Sequence, residues 1–400
     1  MTTMNMVSKI LANDREESYA ILTYMELDEL LTEYFVFNYL NEIIKNNPIL
    51  KQTIVEKNGE CVLCDITSFD VAKCVSIKYV KHRKFDMYTS QILNRPLTKY
   101  KFYMQVFIDK EKHKSRLYFK IHHAYVDGYK LIHMLTELLC IKNGDNKLPS
   151  FKRKTTFLSS IYYWFIGTIM LIISNIIIFL KFIFSPKHKT YNKNIATSTD
   201  FIMCKSFKLN KIKEFSENHN ISVNDFLYAL MIKADNIYTK RDTILNINSP
   251  VNVSKNNGLI NFCLILISID NSFDNYNLFK NINTTFNKYK YSLFVPILDI
   301  ILNMIKNINI NIISYFYDKI INDVDYMYSN VIGPNVDKLS INITDMKFLM
   351  TAKNSTIAYN IISCKNNVNI ICSFKKGVIK DKLLFEEAIY KAYNDLMDTR

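Results

Sequence analysis

The feature that most restricts how this chain can fold is an uninterrupted apolar segment near its middle. No charged side chain occurs between Phe157 and Leu180. A run of this length meets the criterion of about 20 apolar residues for a helix that crosses a lipid bilayer. Basic residues flank it on both sides, at Lys152–Lys154 and from Lys181 onward, so the flanking charge indicates no orientation. The segment predicts contact with a membrane and makes a plain buried core helix the less favoured alternative.

The remaining composition is that of a folded protein. Of the 400 residues, 49% are hydrophobic and 22% are charged, which excludes a disordered chain and suggests two or three domains. The formal net charge of +14 comes mostly from lysines dispersed among asparagine and isoleucine. Neither an arginine-rich stripe nor a compact nucleic-acid-binding motif occurs, so we expect no nucleic-acid partner. A basic face for phosphate-bearing ligands or lipid headgroups is favoured instead.

The cysteines and histidines do not form a metal-binding pattern. Cys61 and Cys64 make a lone CxxC, with no second pair to complete a zinc site. The histidines other than His122 and His123 show no ligand spacing, so we expect no metal. The polar, charged N-terminus lacks the character of a signal peptide, which predicts reduced thiols and a cytosolic-side location.

The hydrophobic pattern predicts helices and strands on both sides of the apolar segment. In the first half it favours a helix over residues 23–47, short strands over 51–80, a strand pair at 102–109 and 115–123, and a helix over 129–141. In the second half it favours a capped helix over 222–237, a strand over 259–269, an amphipathic stretch over 292–317, two strands within 356–374, and a helix over 383–396.

One short motif carries recognisable chemistry. The predicted strand 115–123 delivers His122 and His123 into a loop, where Asp127 and Gly128 follow. An imidazole that titrates near neutrality can remove a proton from an alcohol. A nearby carboxylate can fix the loop or the ring, and a glycine allows a tight turn or a close approach of substrate. The alternative is a simple Asp-Gly turn after two strand histidines, but the full HHxxxDG spacing in a strand–loop–helix context favours a functional site.

This motif resembles that of the coenzyme-A-dependent acyltransferase superfamily. Several further segments resemble, in order from about residue 45 to 398, those of the wax ester synthase/diacylglycerol acyltransferase family. These are Asn47-Pro48-Ile49-Leu50-Lys51, Arg95-Pro96-Leu97, Val223-Asn224-Asp225, Ser249-Pro250-Val251-Asn252 and Ser329-Asn330-Val331-Ile332-Gly333-Pro334. The chain departs from the family where Ile332 replaces a proline and where Tyr103 lies near the place of a tryptophan.

The resemblance implies roles for individual residues. His123, the second histidine of the motif, would be the general base, and Asp127 would hold the site together through an ion pair. His122 and Gly128 would support them. The substrate channel would include Asn224, Asp225, Ser329, Asn330 and Gly333. Two of these segments have simpler alternatives, because Asp225 is also a favourable helix-start acid and residues 329–334 also read as a loop with a Gly-Pro breaker. No nucleophile elbow occurs, so a covalent serine or cysteine mechanism is not expected.

The family fold also restricts what the apolar segment can do. The expected architecture is a two-lobed α+β fold like that of chloramphenicol acetyltransferase, with lobes at 1–150 and 191–400 and a membrane-associated insertion at 151–190. One crossing would place the lobes on opposite sides of a membrane, where they could not share an active site. Residues 157–184 extend about 42 Å as one helix, too little to cross a ~30 Å core twice. A re-entrant or interfacial anchor is therefore favoured over a single crossing with a different fold.

Together these features predict an acyl-CoA-dependent O-acyltransferase. It would acylate diacylglycerol or a long-chain alcohol, without any cofactor beyond acyl-CoA as co-substrate. The catalytic lobes would lie on the cytosolic side of the endoplasmic reticulum or plasma membrane. Two alternatives stay open: an acyltransferase of the same fold that uses another alcohol, and a catalytically inactive, membrane-bound lipid-binding protein.

Overall fold

In the computed structural model, described residues are 4, 6–13, 19–57, 60–139, 162–184, 198–252, 262–305, 308–334, 339–352 and 357–399. The first half contains α1 (Met6–Ala12), β1 (Ala20–Leu27), α2 (Glu33–Asn46), β2 (Gln52–Lys57), β3 (Glu60–Asp65), β4 (Val75–Tyr79), α3 (Phe85–Asn94), β5 (Phe102–Asp109), β6 (Lys114–His122) and α4 (Gly128–Thr136). A π-helical turn at Tyr163–Gly167 then leads into α5 (Thr168–Phe184). The remainder contains β7 (Thr199–Met203), β8 (Phe207–Lys208), α6 (Leu209–Asn218), α7 (Val223–Thr239), β9 (Ile244–Asn252), β10 (Phe262–Asp270), α8 (Asn275–Tyr291), α9 (Phe294–Met304), α10 (Ile310–Asp323), β11 (Tyr326–Ile332), β12 (Ile343–Met350), β13 (Ile357–Cys364), β14 (Asn367–Lys375) and α11 (Lys382–Met397).

Two mixed sheets define two lobes. The first sheet has the strand order β12-β1-β6-β5-β4, and the second has the order β10-β9-β11-β13-β14-β7, with β8 also paired to β14. Strands β2 and β3 form a separate hairpin. Each large sheet has its own apolar core, and the second core also includes one side of α5 through Leu171. This arrangement confirms the predicted two-lobed α+β architecture.

Strand β12 ties the lobes together. It comes from the second half of the chain but lies at the edge of the first sheet, antiparallel to β1. The hydroxyl of Thr351, just after β12, accepts a hydrogen bond of 2.9 Å from the backbone N–H of Ala20. A division into lobes at 1–150 and 191–400 does not anticipate this exchange, because pairing between distant segments leaves no local pattern in sequence.

Most predicted elements are found within a few residues of their expected positions. The strand pair β5 and β6, the helix α4, the paired strands β13 and β14 and the closing helix α11 are all confirmed. The capping box is also confirmed, since the Ser222 hydroxyl and the Asp225 carboxylate each accept a backbone hydrogen bond from the other residue.

The predicted helix over residues 23–47 is wrong at its beginning. Residues 20–27 form β1, which is buried along its whole length between β6 and β12. A strand covered on both faces carries apolar residues without alternation, so its pattern resembles that of a buried helix. The helix α2 begins only after Thr32, whose hydroxyl accepts a hydrogen bond from the backbone N–H of Phe35.

The apolar segment is helical from Tyr162 to Phe184 and packs along the second lobe. Residues 151–161 and 185–190 of the predicted insertion lie outside the described part of the chain. Among the described residues, none of the helices combines the length and hydropathy needed to cross a bilayer.

Candidate active site

His123 lies in the loop directly after β6. Its backbone N–H donates a 2.7 Å hydrogen bond to the carbonyl of Tyr19, which precedes the neighbouring strand β1. Its own carbonyl accepts from the N–H of Val126 at 3.3 Å, which closes the loop into a turn. The half-buried ring lies 5.6 Å from the ring of Phe262 on β10 of the other lobe. The sheet and the turn thus fix the imidazole where the two lobes meet.

The surroundings of His123 favour its neutral form. Burial lowers the pKa of the imidazole below its usual value, and this is the largest effect. The backbone carbonyls of His123 and Val126 and the charge of Asp127 act in the opposite direction but do not outweigh burial. A neutral imidazole at physiological pH has a free lone pair, which a general base requires.

His122 faces away from the cavity and supports the turn. The side chain is buried, and its Nδ1 accepts a 3.2 Å hydrogen bond from the backbone N–H of Ala124. Its carbonyl accepts from the N–H of Tyr125 at 3.1 Å. This placement agrees with the supporting role expected for the first histidine of the motif.

Asp127 and Gly128 begin helix α4. The Asp127 carboxylate accepts a 2.8 Å hydrogen bond from the backbone N–H of Lys130, so it is the N-cap of the helix. A Cβ on Gly128 would lie 3.0 Å from Cγ2 of Val331 on β11, which belongs to the other lobe. Gly128 therefore permits close contact between the lobes. The Asp127 carboxylate thus caps α4, and its charge acts on His123; the ion pair expected for it stays a prediction.

A cavity of about 530 Å³ opens beside the imidazole. Its walls come from both lobes and from the residues that precede β1. The lining includes His123, Asp127, Gly128, Lys130, Leu11, Tyr19, Asn248, Phe262, Leu264, Tyr317, Met327, Tyr328, Ser329, Asn330, Val331, Met350 and Thr351. The size lies within the range of small-molecule sites, and the lining combines apolar side chains with polar and charged ones, among them Asp127 and Lys130.

Only some of the channel residues predicted in the second half of the chain line the cavity. Ser329 and Asn330 on β11 line the cavity, as expected. Asn224 lies directly behind them: its Oδ1 accepts hydrogen bonds from the Tyr328 hydroxyl at 2.9 Å and from Asn330 Nδ2 at 3.0 Å. Burial raises the pKa of Tyr328 well above its usual value, so this hydroxyl stays protonated and can donate. Asn224, in the first turn of α7, thus holds the side chains of Tyr328 and Asn330 in position.

Asp225 and Gly333 lie elsewhere, which corrects their assignment to the substrate channel. The Asp225 carboxylate is buried in the capping box of α7 and also accepts from Asn283 Nδ2 at 2.9 Å. A Cβ on Gly333 would lie 1.8 Å from the carbonyl oxygen of Ser363, so this glycine allows the chain after β11 to pass close to β13. Both residues are structural, because helix capping and close backbone packing explain their contacts.

Asn248 on β9 is a cavity residue that the sequence did not reveal. Its side chain is only 2% exposed, and its Oδ1 has no hydrogen-bond partner among the described residues. A buried carboxamide without a partner is costly, so it marks a position where a ligand can complete the hydrogen bond. Asn248 immediately precedes the Ser249-Pro250-Val251-Asn252 segment, which is the only local signal that could have suggested it.

No metal centre is evident in the part of the chain that the structure describes, where histidine, cysteine and acidic side chains do not gather in groups of three or more. The polar groups that line the cavity include the imidazole of His123, the carboxylate of Asp127, the ammonium of Lys130 and the amides and hydroxyls of the second lobe.

Residues 259–397 match the family model of the WS/DGAT C-terminal domain. The family resemblance is confirmed. No curated protein sequence matches the chain. The WS/DGAT region spans β10 to α11 and so contains β11 and the strand β12 that joins the first sheet.

Solved structures extend the WS/DGAT likeness to the whole chain at the level of fold. The wax ester synthase/diacylglycerol acyltransferase from Marinobacter aquaeolei VT8 has 13% identity and a TM-score of 0.63, over 99% of this chain and 98% of that one. The trichothecene 15-O-acetyltransferase from Fusarium sporotrichioides has 8% identity and a TM-score of 0.68, over 99% and 94%. The first condensation domain of the calcium-dependent antibiotic synthetase has 10% identity and a TM-score of 0.65, over 100% and 97%. The chain therefore shares the fold of these acyltransferases and of this condensation domain.

Proposed function

We propose that the protein transfers a fatty acyl group from acyl-CoA to the hydroxyl group of a lipid, with His123 as the general base. The observation that carries this proposal is the half-buried imidazole with a lowered pKa that faces a cavity of about 530 Å³ between the lobes. Acyl-CoA is a co-substrate in this scheme, and no other cofactor is invoked. Diacylglycerol and long-chain alcohols are the proposed acceptors, in line with the WS/DGAT match.

The proposed reaction needs a single base. His123 removes the proton from the acceptor hydroxyl as its oxygen attacks the thioester carbonyl carbon. The tetrahedral intermediate collapses with cleavage of the carbon–sulfur bond, and the imidazolium returns the proton to the leaving thiolate. The products are an ester and free CoA. Asp127 raises the pKa of His123, so its negative charge stabilises the imidazolium while the intermediate exists.

The cavity lining favours a lipid as acceptor. Apolar side chains surround the imidazole, among them Leu11, Phe262 and Met350, and provide a surface for an alkyl chain. Asn248 supplies a polar contact that can orient the acceptor hydroxyl or the thioester oxygen. Because fatty acyl-CoA and hydroxyl lipids concentrate at membranes, we propose that the enzyme works at a membrane surface. Its lobes would face the cytosol, at the endoplasmic reticulum or plasma membrane.

The test is acyl transfer from labelled palmitoyl-CoA to diacylglycerol or to a long-chain alcohol. We expect product with the parent protein and a rate lower by a factor of about 10³ in His123→Ala, since general-base catalysis contributes roughly 10²–10⁴. His133→Ala is the matched control, because His133 is a half-exposed histidine on α4 that pairs with Glu137. Transfer to another alcohol would identify a different acceptor, and a folded protein inert toward every acceptor would contradict the proposal.

The pH profile tests the role of His123 separately. A base with a lowered pKa is deprotonated above that pKa, so kcat/KM should rise with pH through it and then stay level. The midpoint should lie below the usual value for histidine. A midpoint above that value would contradict the described environment of the imidazole.

A further inference from the structure

The helix from Tyr162 to Phe184 directs the polar side chains of Thr168 and Asn175 toward the protein. Thr168 Oγ1 accepts a 2.8 Å hydrogen bond from the backbone N–H of Leu293, between α8 and α9. Asn175 Nδ2 donates to the hydroxyl of Tyr289 on α8 at 3.0 Å. Leu171 lies between them in the core of the second lobe. One side of the helix is therefore attached to the lobe by packing and by hydrogen bonds.

The opposite side of the same helix is apolar and exposed. Ten of its side chains are between 44% and 59% exposed, which is the reverse of a surface helix in a water-soluble protein. They are Tyr162, Trp164, Phe165, Ile166, Ile169, Met170, Ile173, Ile176, Ile177 and Leu180. Ser174 also faces outward, but its hydroxyl donates to the helix carbonyl of Leu171 and so is satisfied internally.

Two neighbouring helices enlarge this exposed side. Helices α9 and α10 both contact α5, and each contributes exposed apolar residues. These are Ile300, Ile301 and Met304 on α9 and Ile312, Tyr315 and Phe316 on α10. We call these residues, together with the ten on helix 162–184, the outer apolar surface. Along the helix it extends from Tyr162 to Leu180, roughly 27 Å at 1.5 Å per residue.

We propose that the outer apolar surface docks the protein on a lipid bilayer, with helix 162–184 lying in the plane of the interface. The inference rests on the proposed function, because a lipid acceptor makes a bilayer the relevant partner. Because Thr168, Leu171 and Asn175 already contact the lobe, lipid can cover only the outward side of this helix. Such a geometry is that of an interfacial helix.

The chemistry of the surface fits lipid better than a protein partner. The sequence from Tyr162 to Leu180 contains no charged side chain, whereas protein interfaces carry arginine and a polar rim with many hydrogen bonds. Tyr162 and Trp164 belong to this surface, and their amphipathic rings suit a membrane–water interface. The flanking sequences contain Lys152–Lys154 before the helix and Lys187 and Lys189 after it, and the chain carries a net charge of +14. Positive charge beside an apolar face complements an anionic bilayer.

The surface is also connected to the cavity. Tyr317 on α10 lines the cavity beside Leu11, while Tyr315 and Phe316 on the same helix belong to the outer apolar surface. One helix thus separates the bilayer from the imidazole site.

Trp164 provides a direct test, because it is the single tryptophan of the chain and lies on the proposed docking surface. The full-length protein is titrated with vesicles of phosphatidylcholine and phosphatidylserine, without any acyl substrate. We expect a blue shift of the emission and quenching by brominated phosphatidylcholine. An unchanged spectrum, or a blue shift that follows protein concentration in the absence of vesicles, overturns the proposal; the second result would indicate self-association.

A charged variant tests the same surface by vesicle flotation. Ile169→Glu/Ile173→Glu/Ile177→Glu should lower the partition onto vesicles by roughly a hundredfold, since these three side chains would no longer enter the apolar layer. Leu383→Glu is the matched control, because Leu383 is 74% exposed on α11, outside the surface. Equal partition of the triple variant and the parent overturns the proposal. His123→Ala should bind vesicles like the parent, so a failure of docking and a failure of catalysis are distinguishable.

Discussion

The two walls of the cavity are built in different ways. In the wall from the first lobe, a single turn holds the imidazole through the backbone of residues 122–128 and the cap of α4. The wall from the second lobe consists of side chains on β9 and β11, joined by amide and hydroxyl contacts to Asn224 on α7. The first wall depends on neighbours in sequence and the second on strand pairing across the lobe. The comparison suggests that the first wall performs the chemistry and the second positions the substrate.

The largest effect should come from disturbing the packing behind the second wall. In Gly333→Ala the new Cβ would lie 1.8 Å from the carbonyl oxygen of Ser363, so β11 or β13 must shift. We expect a loss of about 3 kcal/mol in the free energy of unfolding, at the upper end for overpacking. Urea denaturation measures it, and Gly167→Ala is the control because a Cβ there would make only ordinary van der Waals contacts, the nearest at 3.6 Å to Cδ1 of Tyr163. A variant as stable as the parent would contradict the close approach.

The next effect separates two contributions of Asp127 in the first wall. Asp127→Ala removes the cap of α4 and should cost about 1 kcal/mol of stability, whereas Asp127→Asn keeps a good capping residue. Both variants remove the charge that raises the pKa of His123. Both should therefore lose about tenfold in kcat, and their acidic limb in the pH profile should move to lower pH.

Thermal unfolding measures the contribution of Asp127 to helix capping, and pH–rate profiles measure the effect of its charge on His123. If Asp127→Asn kept full activity and an unchanged pH profile, the carboxylate would act on the helix alone.

A smaller effect is expected from the second wall itself. Asn248→Ala removes the carboxamide whose oxygen has no partner among the described residues, and should lower kcat/KM about tenfold, mostly through KM. Asn246→Ala is the control, since Asn246 lies on the same strand and accepts from Ser268 outside the cavity. Steady-state kinetics with variable acceptor concentration distinguish the two. An effect of equal size in both variants would remove Asn248 from the substrate wall.

The smallest effect concerns the contact between the walls. Gly128→Ala places a Cβ 3.0 Å from Cγ2 of Val331, which requires a shift of a few tenths of an ångström. We expect a loss of about 1 kcal/mol, partly recovered when Val331→Ala is added. A double-mutant cycle in thermal unfolding measures this coupling. Strictly additive changes in the free energy of unfolding would show that Gly128→Ala does not create a steric clash with Val331.

The difference between the two walls also explains which site residues could be predicted from the sequence. The HHxxxDG motif was recognisable because its residues contact one another within seven positions, and the structure places His123 and Asp127 at the cavity. Ser329 and Asn330 were found through a family segment. Asn248 was missed because it belongs to no local pattern. Asp225 was wrongly assigned to the substrate channel because an acidic residue at a helix start looks the same in sequence whether it caps the helix or lines a site.

The fold was predicted where periodicity is clear and missed where it is not. Helices α4 and α11 have one apolar side, α7 begins with a capping box, and strands β13 and β14 are separated by a turn, so their positions were predicted closely. Strand β1 is buried on both faces, which removes the alternation that distinguishes a strand. The pairing of β12 with β1 could not be predicted from the sequence, because two strands separated by hundreds of residues share no local sequence pattern that indicates their register.

That pairing has a consequence for how the molecule is made. The backbone N–H of Ala20 meets the hydroxyl of Thr351, 331 residues later, and β12 covers the edge of β1. A ribosome delivers the chain from its N-terminus, so β1 and β6 emerge long before the strand that completes their sheet. The edge of β1 must wait, unpaired, until β12 has been synthesised. Because Tyr19 and Thr351 both border the cavity, the surroundings of the imidazole are complete only after Thr351 has also been synthesised.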